Sequence, residues 1–235
     1  MNGPDRPLTP QTGVAFRRVT LVFAGLLTIQ SLWLMLAELT RPAIRGLPAD
    51  AASAAVAATQ RGRAALAASV GVVRGDLWAE SGFTYADLLW NDNGSSAGLT
   101  PALDRARTSI ERALGDAPHQ SGAWLLLAGL ASRYPSINVN AAQALKTSYY
   151  TGPSEQDLML PRLRVAAQSD FLNDVEIREF VTRDVRLFIS RHQQSAIDAA
   201  LNGGSPTGKA FIREVVSKMS PPAPAAPAAP RTAPH

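Results

Sequence analysis

Cysteine is absent from the 235 residues. That excludes disulfides, thiolate nucleophiles, zinc knuckles and cysteine-ligated clusters. Histidine is almost absent as well: His119, His192 and His235 are the whole set, too few for a histidine-rich metal site. Charged residues make up only 18% of the chain, where an ordinary soluble domain carries roughly 25%. Such a shortage points to a segment that does not face water. The net charge of +4 is small. It is scattered, with no basic run beyond Arg17-Arg18, whereas nucleic-acid binding needs a concentrated stripe. No nucleic-acid partner is expected.

One stretch holds no charge at all, Val19 to Ala37. As a helix rising about 1.5 Å per residue it would reach about 28 Å, close to the hydrocarbon thickness of a bilayer. A helix satisfies its own backbone in lipid, and Trp33 sits near one end, where an indole suits the interface. Residues 19–37 are therefore read as a transmembrane anchor and as the chain's contact with the membrane. A cleaved signal peptide and a buried helix are the alternatives. The apolar run exceeds the roughly 7–15 residues of a signal core, and no small-residue cleavage site closes it. Arg6, Arg17 and Arg18 precede the segment, while Glu38, Arg41 and Arg45 follow it. Basic flanks favour the cytoplasm. The expectation is a single pass through the inner membrane, with residues 1–18 as a cytoplasmic tail and the rest periplasmic.

Residues 220–235 carry six prolines in sixteen positions, so a disordered tail is expected there. Between Pro42 and Met219 the local signals are helical, and no alternating strand pattern occurs. Ala49–Val73 is rich in alanine, the best helix former. Asp76–Trp90 holds Leu77, Phe83, Leu88 and Leu89 among small residues. Thr100-Pro101 resembles a cap followed by proline in the first turn. Helices are also expected over Ser121–Tyr134, Val139–Tyr149 and Ser154–Gln168. A long one starts at Asn173 or Asp174 and runs to Gly203-Gly204, its charged side solvated. A last helix follows Ser205-Pro206. The class is all-α.

Two series of residues recur. Ala106, Ile110, Ala113 and Pro118 stand at intervals of +4, +7 and +12, and Ala141, Leu145, Ser148 and Pro153 repeat them 35 residues later. Ahead of the first series stand Trp78, Gly82 and Tyr85; ahead of the second stand Trp124, Leu127 and Ala128. The arrangement resembles the tetratricopeptide repeat, a helix pair of about 34 residues with the pattern W-x2-L-G-x2-Y, A-x3-F, P. Departures are clear. Ser81 replaces the leucine, Ala131 the tyrosine, and the polar segment Asn91–Ser96 lengthens the first unit. The resemblance covers Asp76–Pro153. It implies that small residues sit where paired helices approach and that large ones fill between them. It also implies an α-solenoid over 42–219 with a groove for a protein or peptide partner. Asn91, Arg133 and Asn138 are candidate ligand contacts.

Catalytic constellations are missing. Gly203 to Lys209 fits GxxxxGK, but Ala210 stands where a magnesium-binding hydroxyl belongs, no strand precedes it, and Pro206 removes an amide. The acids from Asp170 to Asp184 lie among Arg178, Arg183 and Arg186, which oppose a raised carboxyl pKa. His119 follows a turn and reads as a loop residue. No catalytic, cofactor, metal or nucleotide site is expected. The sequence points to a non-enzymatic scaffold anchored at a bacterial envelope, with an accessory subunit of an envelope assembly or polysaccharide biogenesis complex as the alternative.

Overall fold

The computed structural model describes residues 10–90, 100–168 and 170–219. Those residues form twelve α-helices and contain no strand. The expected tail at 220–235, residues 1–9 and the polar loop with Asn91 lie outside the described residues. Two compact units are distinguished, one ending at Leu127 and the other beginning at Ala128.

The first unit opens with α1, Pro10–Thr40. It begins inside the tail expected at 1–18, because a proline in the first turn lacks only an amide that would have no helical partner anyway. The alanine-rich stretch is two helices rather than one, α2 (Ala51–Ala58) and α3 (Arg61–Val70). Asp50 caps α2 through the amide of Ser53. The break falls at Thr59-Gln60, where the Thr59 hydroxyl bonds back to Val56 and the Gln60 amide oxygen accepts from the Ala43 N–H. Alanine propensity is a weak prior, and these side-chain bonds to backbone override it. Likewise Asp76–Trp90 divides into α4 (Gly75–Phe83) and α5 (Asp87–Trp90). Then come α6 (Thr100–Asp116) and α7 (Ser121–Arg133), and the division between units falls within α7.

The closest pairing in this unit is α4 on α6. A Cβ at Gly75 would stand 2.6 Å from Ala117 Cβ and 2.9 Å from the Ala113 carbonyl oxygen; one at Gly82, two turns on, would meet Ile110 Cγ1 at 3.2 Å. Both glycines thus let two helix backbones approach over Ala106, Ile110 and Ala113, all three fully buried.

The second unit holds the 3-10 turn Pro135–Ile137, α8 (Ala141–Thr151), α9 (Gln156–Gln168), the 3-10 turn Asp170–Asn173, α10 (Val175–Ser190), α11 (Gln194–Asn202) and α12 (Pro206–Met219). Asn140 and Asp174 cap α8 and α10 through their carbonyl or carboxylate oxygens. The long helix expected up to Gly203 breaks earlier, at Arg191–Gln193, where His192 takes a left-handed φ of 56°. Ile177, Val181, Val185 and Phe188 of α10 are buried. The side expected to be solvated is not uniformly so, because Asp184 is only 2% exposed.

Glycine also determines how α12 meets α9. Gly208 rests on the backbone of Ala167, so that an added Cβ would lie 2.1 Å from its carbonyl oxygen. Gly208→Ala is expected to destabilise this unit by about 1–3 kcal/mol through overpacking, even though alanine favours a helix by up to ~1 kcal/mol. Hydrogen exchange of α9 and α12 in the full chain checks it: unchanged or slower exchange would show that the close approach relaxes freely.

Candidate functional site

Helix α1 carries a 27-residue candidate span, Val14–Thr40, whose most apolar 18-residue window has a mean hydropathy of 2.0 and is not buried. It is long and apolar enough to cross a membrane. Its last turns are different. Ala37 is 1% exposed and clusters with Ala67, Ala68 and Leu77, flanked by Val70 and Trp78. Small residues on α1 and α3 allow the close contact. The Trp33 indole N–H donates to the Val70 carbonyl at 2.6 Å, and Arg63 donates to the carbonyls of Leu39 and Thr40. These carbonyls belong to the last turn of α1, which lacks helical donors, so Arg63 acts as a side-chain cap.

An ion network closes the same junction. Arg41 bonds Glu80 through Nε at 2.9 Å and also reaches Glu38 and Asp76; Arg74 joins Glu38 at 2.6 Å and Asp76 at 2.6 Å. Glu80 is 3% exposed. Burial pushes its carboxyl above the usual range, and the Arg41 guanidinium pulls against that. Arg41 is held more firmly protonated by its bond to Glu80. From sequence, Glu38 and Arg41 are only flanking charges, since the Arg41 partners Asp76 and Glu80 lie 35 and 39 positions away.

The repeat residues are placed as follows. Trp78 and Trp124 are half-buried, and each indole donates to a carbonyl six residues earlier, Val72 at 3.3 Å and Pro118 at 2.8 Å. Arg112 covers the Trp78 ring at 4.5 Å, and Arg61 covers Tyr85 at the same distance. Gly82, Tyr85, Ala106, Ile110, Ala113 and Leu127 are buried in the first unit; Ala128, Leu145 and Ser148 are buried in the second, with Ala141 half-buried. Pro118 and Pro153 are exposed just past the ends of α6 and α8. Of the candidate ligand contacts, Arg133 ends α7 half-buried, and Asn138 is exposed with φ 47° after the 3-10 turn.

A second polar cluster, not expected from sequence, is buried in the second unit. Arg162, 1% exposed, donates to Ser148 Oγ at 3.0 Å, to the Ser148 carbonyl and to the Gly152 carbonyl at 2.9 Å. It thereby closes the carboxyl end of α8, and it covers the Tyr149 ring at 4.7 Å. The Tyr149 hydroxyl donates to Asp184 at 3.1 Å. Burial pushes the Asp184 carboxyl up to about 6, opposed by Tyr149, Arg183 and Arg162, and raises the Tyr149 phenol well above its ordinary value. The expectation that arginines would hold these acids low fails at Asp184, because desolvation outweighs them.

This cluster predicts a pH dependence. An acid whose folded pKa is raised holds its proton more tightly when folded, so its stabilising effect is complete below the unfolded value near ~3.9 and fades as pH climbs through about 6. The loss attributable to Asp184 is expected to be roughly 2–3 kcal/mol between pH 4 and pH 7. Urea titrations of the full chain and of Asp184→Asn at both pH values isolate it. The same pH slope in both proteins would remove Asp184 as the cause.

No family model matches the chain, and no curated protein or solved structure matches it.

Among the described residues there is no group of three or more His, Cys, Asp or Glu side chains arranged to hold a metal. The GxxxxGK segment is a helix–helix turn. Its Gly204, Ser205, Gly208 and Lys209 amides donate to Leu201 O, Ala167 O, Ser205 Oγ and Ser205 O. A phosphate loop aims such amides at its ligand; here four of them are bonded within the chain.

Proposed function

We propose that this chain is a non-enzymatic, membrane-anchored helical scaffold that binds a protein or peptide partner at a bacterial envelope. The carrying observation is the junction between α1 and the helices behind it. A helix whose apolar side chains are exposed along nearly its whole length ends in a buried, hydrogen-bonded and ion-paired contact with α3 and α4. A detachable leader gains nothing from that contact, whereas an anchor that sets the orientation of its domain does. The α4–α6 pairing through Gly75, Gly82 and Ala113 is the kind of close contact that repeated helix pairs use, and the tetratricopeptide-like spacing continues beyond it. The bonded amides of the GxxxxGK turn count against a phosphate loop at that place.

Two measurements test this. A topology reporter fused after Met219 should be active on the periplasmic side and the chain should resist carbonate extraction; release by carbonate, or activity only in the cytoplasm, would refute the placement. Site-specific photocrosslinking in native membranes, from exposed positions on α6 and α8, should give one discrete adduct that persists at endogenous expression. A partner present in fixed stoichiometry would shift the reading to an assembly subunit, and the lack of any adduct would count against a scaffold.

A further inference from the structure

The junction does more than fasten the anchor. Helix α3 runs antiparallel to the end of α1 in matched register: Arg63 reaches the Leu39 and Thr40 carbonyls, and Val70, seven residues on, accepts from Trp33, seven residues back. Seven helical residues cover about 10 Å. Moving along α3 is therefore moving back along α1, into its uncharged span. The turn after α3 continues that way, since Gly71, Val73 and Arg74 line a groove of about 120 Å³ together with Gln30, Trp33, Leu34 and Ala37. If Val19–Ala37 occupies the bilayer, Trp33 and Gln30 lie within it, and so does whatever packs beside them.

The chemistry of the neighbour agrees. Ala64 to Val73 holds ten residues without a charge. Val72 and Val73, at its tip, are 59% and 72% exposed, and Leu66 is 52% exposed. Water is a poor surrounding for two adjacent valines at the point of a turn. The charges that bracket the stretch each reach the last turn of α1: Arg63 bonds Leu39 and Thr40, and Arg74 bonds Glu38 as well as its neighbour Asp76. Long basic side chains that direct their heads away from an apolar layer are how such residues behave at an interface. Gly71 makes the turn compact, because a Cβ there would come within 2.4 Å of Leu77 Cδ1.

We infer that the α3–α4 turn, with Val72 and Val73 at its tip, is a membrane-inserted wedge that enters the apolar layer of the bilayer beside the anchor. This rests on the reading of α1 as a membrane span. It gives the first unit two contacts with the lipid, so that its orientation to the membrane is set by a surface rather than by a single pivot. The occupant of the groove lined by Gln30, Trp33 and Val73 is then a lipid acyl chain.

The lack of cysteine makes the test direct. Single cysteines replace Val72, Val73, Leu27 in the anchor, or the exposed Asp104 on α6, each labelled with an environment-sensitive nitrobenzoxadiazole dye. The full chain is reconstituted in vesicles of phosphatidylethanolamine and phosphatidylglycerol, with and without bromine on the upper acyl chain. Labels at Val72 and Val73 should show blue-shifted emission and should lose intensity in brominated lipid, as Leu27 does and Asp104 does not. Water-like emission and no quenching at Val72 and Val73, with Leu27 still quenched, would overturn the wedge and leave the anchor intact. No quenching at Leu27 would overturn the anchor, and the wedge with it. Val72→Asp together with Val73→Asp supplies a second readout: carried on a chain labelled at Leu66→Cys, the pair should reduce the quenching seen there, and unchanged quenching would argue against insertion.

Discussion

Arg162→Met is expected to lower the stability of the second unit by about 3–5 kcal/mol, because three buried hydrogen bonds from a charged group are lost, each worth roughly 1.5–3 kcal/mol. The side chain is 1% exposed and serves three acceptors at the end of α8. The Ser148 and Gly152 carbonyls each accept one backbone N–H, from Gly152 and Glu155, and the buried guanidinium occupies their second acceptor position, where water does not readily replace it. Methionine fills a similar volume, so the cost is chiefly polar rather than a cavity. Asp184 also loses one of the cations that offset its burial, which should carry its carboxyl further upward and make the variant's deficit larger at pH 8 than at pH 5. Arg162→Lys keeps the charge but not the planar fork, and should fall between wild type and methionine. Hydrogen exchange over residues 141–190 reads the effect locally. A loss under about 1 kcal/mol, the usual worth of an exposed pair, would mean that water reaches the site.

Arg41→Ala is expected to cost the first unit roughly 2–4 kcal/mol, somewhat below the range for a fully buried pair because Arg41 keeps 17% of its side chain exposed. Glu80 is left buried without the guanidinium it bonds, beside Asp76 of like sign and with only the longer-range attraction of Arg45 to offset them. The sign follows from linkage. Removing Arg41 raises the folded pKa of Glu80 further, so the damage is small near the unfolded carboxylate pKa and grows as pH rises. Adding Glu80→Gln should recover part of the loss by removing the buried charge. Exchange of the α3 and α4 amides in detergent micelles measures both steps. If the double variant is as unstable as the single one, Arg41 acts through packing and not through Glu80. The same substitution should loosen α1 against α3, since Arg41 and Arg74 share Glu38 and Asp76.

Composition and periodicity sufficed for the all-α class and for a long apolar helix near the start, because both depend on local properties: side-chain transfer, backbone propensity and the lack of strand alternation. The caps at Asp174 and the stop at Gly203 were legible for the same reason. Small residues at Gly82, Ala106 and Ala113 stood out by spacing, and in the structure they lie between α4 and α6. The broken helices were not legible. Thr59-Gln60 and His192 are unremarkable in sequence, and the bond that helps break the first, from Ala43, comes from 17 residues away. Only tertiary structure decided which charges are solvated. Asp184 sits in a charged run that looks exposed and Glu80 is a lone acid among small and apolar residues, yet both are buried, and desolvation is the largest influence on each proton. Likewise the pairing of Trp33 with Val70 separates an apolar helix that merely extends from the chain from one packed against its neighbours, since a hydrogen bond across 37 residues leaves no trace in local pattern.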